Sequence, residues 1–232
     1  MNETALRERV RIRTGGASLS GELAYPGRAV VRACLLLNPH PYMGGRMANP
    51  LIERLAIRLA ERGAVTLRFD YSGVGDSGGP AVNVAESMTR FWETGTAPID
   101  PQMLADGRAA LDWLRSETAM SIVLIGYSFG AYVADTLVDP RISAVVFISP
   151  TIGQHDLCGV EGTSVPKLVI YGESDFAVSR EKVQKWYASL TEPRQLHWVR
   201  AGEHFFRGQE ADVADACAAF VEETFCIESC MP

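Results

Sequence analysis

The chain has 232 residues, 47% of them hydrophobic, a formal net charge of -6 and a sequence pI near 5.3. That suits one domain, spanning residues 1–232, around a sizeable core, and excludes the basic footprint of a nucleic-acid binder. A polar, charged start over Met1 to Val10 and no apolar run near the roughly 18 residues of a membrane span exclude a signal peptide and a transmembrane protein, so a cytoplasmic protein working on small molecules, with no membrane partner, is expected.

Val10 to Arg13 and Leu19 to Tyr25, separated by Thr14-Gly15-Gly16, read as an N-terminal antiparallel hairpin. Ala33 to Leu37 is a short continuous apolar run of the kind buried on both faces of a parallel sheet, and it ends at Asn38-Pro39-His40-Pro41-Tyr42 and Gly44-Gly45. Asn49 and Pro50 supply a cap and a first helical residue for a helix with Leu51, Leu55 and Leu59 on one face, stopped by Gly63. Val65 to Asp70 is the next strand and delivers a glycine-rich loop, Gly73 to Gly79. Residues 80–100 are too apolar for a plain connection, with Val82, Val84, Met88, Phe91 and Trp92, and read as a flap.

Pro101 opens a helix to about Arg115. An apolar run from Ile122 to Ile125 then ends at Gly126, and helix-compatible sequence resumes at Phe129. Ala144 to Ile148 and Leu168 to Tyr171 are further buried strands, the second ending in Gly172-Glu173-Ser174-Asp175. Ser179 caps a helix with Val183, Trp186, Tyr187 and Leu190 inward, Gln195 to Val199 is the last strand, and Val213, Cys217 and Phe220 or Val221 mark the final helix. Strands alternating with helices behind a hairpin predict an α/β fold, doubly wound, with a mostly parallel sheet of about eight strands. Five cysteines without C-x-x-C spacing make neither a disulfide framework nor a zinc site. Cys34 and Cys217 read as core; Cys226 and Cys230 are near enough in sequence to pair or to bind a metal, but no histidine accompanies them. No cofactor and no metal are called for, and a homo-oligomer is compatible with the composition.

The chemistry-bearing stretch is Gly126-Tyr127-Ser128-Phe129-Gly130, a G-x-S-x-G between a strand and a helix. That context makes it a nucleophile elbow, whose bend lifts a serine hydroxyl clear of the sheet at the positive end of the next helix. Two rival signals fail on context. Gly75-Asp76-Ser77-Gly78-Gly79-Pro80 matches the string around a trypsin-like nucleophile, in the order His40, Asp70, Ser77, but the chain lacks the all-β pattern such a protease needs. Gly73, Gly75 and Gly78 spell G-x-G-x-x-G, but Gly79-Pro80 follows instead of a helix start, leaving a pyrophosphate without its helix N-terminus.

A serine hydroxyl needs a base, an orienting acid and oxyanion donors. Asp175 and His204 each lie just beyond a strand's C-terminal end, in the order acid then histidine, on the rim where open α/β sheets bind ligands. Phe129 and Tyr42 are placed to offer backbone N–H groups as an oxyanion hole. With five motifs in order, from Asn38-Pro39-His40-Pro41 to Gly202-Glu203-His204, the chain resembles the α/β-hydrolase superfamily over essentially its full length, on the side of the small serine esterases and thioesterases.

The resemblance implies a serine hydrolase with the triad Ser128, Asp175 and His204, cleaving an ester or thioester of a small-molecule acyl substrate through an acyl-enzyme on Ser128. It favours Asp175 over the rival acid Glu173, makes Ser77 a structural turn residue, and gives His40 the shaping of the oxyanion loop. No large cap domain is expected, because the stretch between Ile148 and Lys167 is short. His155 near the mouth is a candidate substrate contact, Met88, Phe91 and Trp92 are candidates for the substrate wall as well as for the flap's own core, and His197, within a strand, reads as structural. The same triad also serves a transacylase or cyclase, and a non-catalytic binding protein is a third reading on this fold.

Overall fold

The computed structural model describes residues 5–27, 30 and 32–228, except for the side chains of Trp92 and residues 225–228. Two strands, β1 (Leu6–Arg13) and β2 (Ser18–Tyr25), form the N-terminal hairpin. β1 starts earlier than its apolar residues suggest. It is a sheet-edge strand, and Leu6 to Arg9 are exposed there, so charge at Arg7, Glu8 and Arg9 costs nothing and blunts the edge.

The order continues with β3 (Arg32–Leu37), α1 (Pro50–Glu61), β4 (Ala64–Phe69), α2 (Val84–Thr94), α3 (Asp100–Glu117), β5 (Ile122–Tyr127), α4 (Phe129–Thr136), β6 (Ile142–Ile148), β7 (Lys167–Gly172), α5 (Arg180–Ser189), β8 (Arg194–Val199) and α6 (Glu210–Glu228). All eight strands share one sheet in the order β1-β2-β4-β3-β5-β6-β7-β8, antiparallel at β1-β2-β4 and parallel from β4 to β8.

Alternate side chains of each central strand feed two cores. Leu35 and Leu37 of β3 and Ile122 and Leu124 of β5 pack with residues of α3, α4 and α5, whereas Cys34 and Leu36 and then Val123, Ile125 and Tyr127 pack with α1 and α6. Strands buried on both faces are mostly apolar, which is why their sequences read as near-continuous runs. Burial pushes the Cys34 thiol up to about 12, so it behaves as a core residue, as does the fully buried Cys217. Cys230 and the Cys226 side chain lie outside the described residues.

β3 sits between β4, which follows it, and β5, which comes later, so the winding direction reverses at β3/β5. In open α/β sheets this switch point is where the crevice forms. The loops leaving β3 and β5 are those carrying His40 to Gly45 and Ser128. Residues 149–166, between β6 and β7, hold no helix, and no helix among the described residues is long and apolar enough to cross a membrane.

Candidate active site

Ser128 sits between β5 and α4 with φ 55° and ψ -117°, a conformation L-residues rarely adopt. Neighbouring glycines make it attainable. A Cβ on Gly126 would lie 2.2 Å from Gly130 O, and one on Gly130 would lie 2.1 Å from Leu37 O, so any larger residue would push the helix off the strands. The Ser128 N–H is anchored at 2.8 Å on Ile148 O.

The elbow aims the hydroxyl at His204. Ser128 Oγ lies 3.0 Å from His204 Nε2, and His204 Nδ1 lies 2.9 Å from Asp175 Oδ2 and 3.1 Å from Oδ1. Burial alone would raise the Asp175 carboxyl, but the hydrogen bond and charge of His204, together with the Ala177 N–H at 2.8 Å, hold it below the usual carboxylate range. An ionised Asp175 accepts from Nδ1–H. That leaves Nε2 bare, in the tautomer that can take the serine proton.

Ser128, Asp175 and His204, predicted from three separate loops, are therefore in hydrogen-bonding sequence. Glu173 points elsewhere, exposed, with Oε2 accepting from Ala201 N at 3.3 Å. His197 is exposed on β8. Ser77 accepts from Ser20 N and donates to Asp70 O, tying the glycine-rich loop to β2 and β4 as a structural turn. Asp70 accepts from Met47 N.

Phe129 opens α4, and the first N–H groups of a helix have no partner within it. The residues Pro41–Met43 form a single 3-10 turn after β3, whose cap is His40: its Nδ1 accepts from the Tyr42 N–H at 3.3 Å. The Tyr42 amide is thus loosely engaged in the free protein. On its other side Tyr42 packs against Phe91 of α2, ring centroids 5.1 Å apart.

A cavity of about 410 Å³ opens beside Ser128 and His204. Its wall includes His40, Tyr42, Met88, Phe91, Phe129 and His155, so the named candidates converge there apart from Asp175, seated behind His204, and Trp92, whose side chain is outside the described residues. Met43, Thr151, Phe176 and Phe205 also line it and were not singled out from sequence. One signal was available for two of them: Ser128, Asp175 and His204 are each followed directly by phenylalanine, and all three of those rings line the cavity. A residue adjacent to a rim side chain shares its rim.

Comparison with known proteins follows the same line. The sequence model of the Dienelactone hydrolase family matches residues 43–224. An uncharacterized protein of Rickettsia prowazekii is 29% identical over 195 residues, covering 78% of this chain and 75% of that one. Among solved structures, an α/β serine hydrolase homologue from Coxiella burnetii superposes with a TM-score of 0.78 at 24% identity, over 91% of this chain and 96% of the other. An α/β serine hydrolase without lid from Xanthomonas campestris gives 0.76 at 23%, over 94% of each. Likeness at these identities is likeness of fold, and it agrees with the absence of a large cap domain between β6 and β7.

Proposed function

This chain belongs to the dienelactone hydrolase family, and on that footing we propose that it is a serine hydrolase of small-molecule esters or thioesters, with Ser128 as nucleophile, His204 as base and Asp175 as orienting acid. The observation that carries this reading is the unbroken relay from Ser128 Oγ through His204, at 3.0 and 2.9 Å, to a carboxylate kept ionised.

In the proposed reaction Ser128 Oγ bonds to the substrate carbonyl carbon while its proton passes to His204 Nε2. Charge moves to the carbonyl oxygen, where the Phe129 N–H and the positive end of α4 favour it. Tyr42 supplies the second donor: its 3.3 Å bond to His40 Nδ1 is weak enough to exchange for a shorter, charge-assisted one. Collapse breaks the bond to the leaving alcohol or thiol, which takes the proton from His204. Water, deprotonated by His204, then attacks the acyl-Ser128 ester, and His204 returns the proton to Ser128 as the acid departs. We assign α2 the role of a flap, since Met88 and Phe91 from it wall the cavity.

That wall favours one second reading. An apolar, partly covered cavity protects an acyl-enzyme from water, so an alcohol or amine can replace water as acceptor and make the protein a transacylase. Mass spectrometry of the products separates the two. The primary test is fluorophosphonate labelling with an ester and thioester panel on wild type beside Ser128→Ala. Labelling and hydrolysis lost together in the variant are expected; ester hydrolysis surviving Ser128→Ala ends the proposal.

A further inference from the structure

The cavity has a polar corner that the relay does not use. His155 is held there by three contacts: Nδ1 is 2.9 Å from Thr151 Oγ1, its ring stacks on Tyr132 at 4.6 Å and 22°, and it meets the Phe129 ring edge-on at 5.3 Å. Its other nitrogen, Nε2, is buried and has no hydrogen-bond partner among the described residues. His40 differs, because its Nε2 faces Asp100 Oδ1 at 3.3 Å. His40 is 1% exposed, and the two imidazoles flank the same Phe129 ring.

Buried polar atoms are nearly always paired. The orphaned Nε2 of His155, a residue of the cavity wall, points to a partner on the substrate.

The rest of the wall sets the chemical class. Met43, Met88, Phe91, Phe176 and Phe205 are apolar, Gln154 is polar but uncharged, and among the described residues no Asp, Glu, Lys or Arg lines the cavity. A charged substituent entering it would lose its water without gaining a counter-ion. Burial lowers the basicity of both His155 and His40, against the pull of Asp100, which keeps the rings neutral at pH 7.

We propose that the His155 corner is a subsite for a hydroxyl group carried on an otherwise apolar, uncharged part of the ester substrate. The proposal rests on the ester reading above and names its substrate class. A hydroxyl satisfies Nε2 in either tautomer, by accepting from N–H or by donating to a bare nitrogen. An ether or carbonyl satisfies only one of them, and a carboxylate arrives with a charge nothing in the lining neutralises. Thr151 decides the balance: a hydroxyl that donates to Nδ1 leaves Nε2–H facing the ligand.

The test is calorimetric binding of three amides built on one arylalkanoic acid, ending in hydrogen, hydroxyl or carboxylate, to the full chain and its variants. The hydroxyl amide is expected to bind at least about tenfold more tightly than the unsubstituted one, and the carboxylate amide more weakly than either. In His155→Phe, which keeps an aromatic ring and loses both nitrogens, the hydroxyl preference is expected to shrink to within about twofold. Thr151→Val, leaving His155 in place without its anchor, is expected to reduce it part of the way. Equal binding of the hydroxyl and unsubstituted amides by the wild type, a preference that survives His155→Phe, tighter binding of the carboxylate, or no binding of any amide overturns the proposal. The readout is separate from labelling of Ser128. Labelling without hydroxyl preference sinks the subsite alone, and hydroxyl preference without labelling sinks the ester reading alone.

Discussion

Tyr127 Oη donates a 2.8 Å hydrogen bond to the backbone carbonyl of His204, across 77 residues of sequence. The residue before Ser128 thereby holds the loop that carries His204, the proposed base. Burial keeps the phenol far above its ordinary titration range, so it remains a donor. Tyr127→Phe preserves the ring and leaves the His204 carbonyl unpaired. A stability loss of about 1–2 kcal/mol in urea unfolding is expected. Fluorophosphonate labelling of Ser128 is expected to slow by roughly ten- to a hundredfold, because small displacements of a reacting group are costly. Unchanged labelling would mean that the tie does not position His204.

For the relay itself, Ser128→Ala and His204→Ala are each expected to lower kcat on the order of 10⁴ to 10⁶, and the double variant little further, because residues that act as a unit are not additive. Additive losses in the double variant would argue against a shared proton path.

Asp175→Asn tests the tautomer. An amide can donate to His204 Nδ1, moving the imidazole proton to Nε2 and facing the serine with a donor instead of an acceptor. A fall in kcat on the order of 10³ to 10⁴ with near-normal binding is expected. Pre-steady-state kinetics should place the loss in acylation, and a fall confined to KM would contradict the role.

At Gly130 a Cβ would lie 2.1 Å from Leu37 O, a backbone atom that cannot swing away. Gly130→Ala is therefore expected to destabilise the protein by about 2–3 kcal/mol or more and to abolish labelling of Ser128. Calorimetric unfolding beside the labelling assay checks both, and a fully labelled, undisturbed variant would refute the packing argument.

Asp135, 2% exposed, accepts from the N–H groups of Gly159 and Val160 and so latches the loop after β6 that bears Thr151 and His155. Burial pushes its carboxyl up to about 6, although those two N–H groups pull it back. A carboxyl raised above its unfolded value binds its proton more tightly when folded. Its contribution to stability is therefore largest at low pH and declines as pH rises from about 4 through about 6. Against Asp135→Asn, which does not titrate, the wild type should lose about 2–3 kcal/mol of relative stability between pH 4 and pH 7. Urea midpoints for the pair across that range provide the measurement, and a constant difference would count against the shift.

What was legible in the sequence was what neighbouring residues impose on one another. Gly126 and Gly130 around Ser128, the apolar runs of β3, β5, β6 and β7, and Asn49-Pro50 opening α1 are local constraints on backbone shape and burial, so they could be read without knowing what lay opposite. The placement of Asp175 and His204 after successive strands followed from the same logic, because parallel strands deliver their C-terminal ends to one rim. The start of β1 was less legible, since edge exposure permits the charges of Arg7 to Arg9 that a buried strand would refuse.

Only the tertiary structure decided which loops face each other across the cavity. Thr151 beneath His155, Asp100 from the start of α3 beside His40, Asp135 reaching Gly159 and Val160, and Tyr127 under the His204 carbonyl join residues on different elements, through distances set by how those elements pack. No periodicity or motif encodes them, because hydrogen-bond partners and cavity walls depend on the relative placement of distant segments, whereas a strand, a cap or a bend depends on the residues within it.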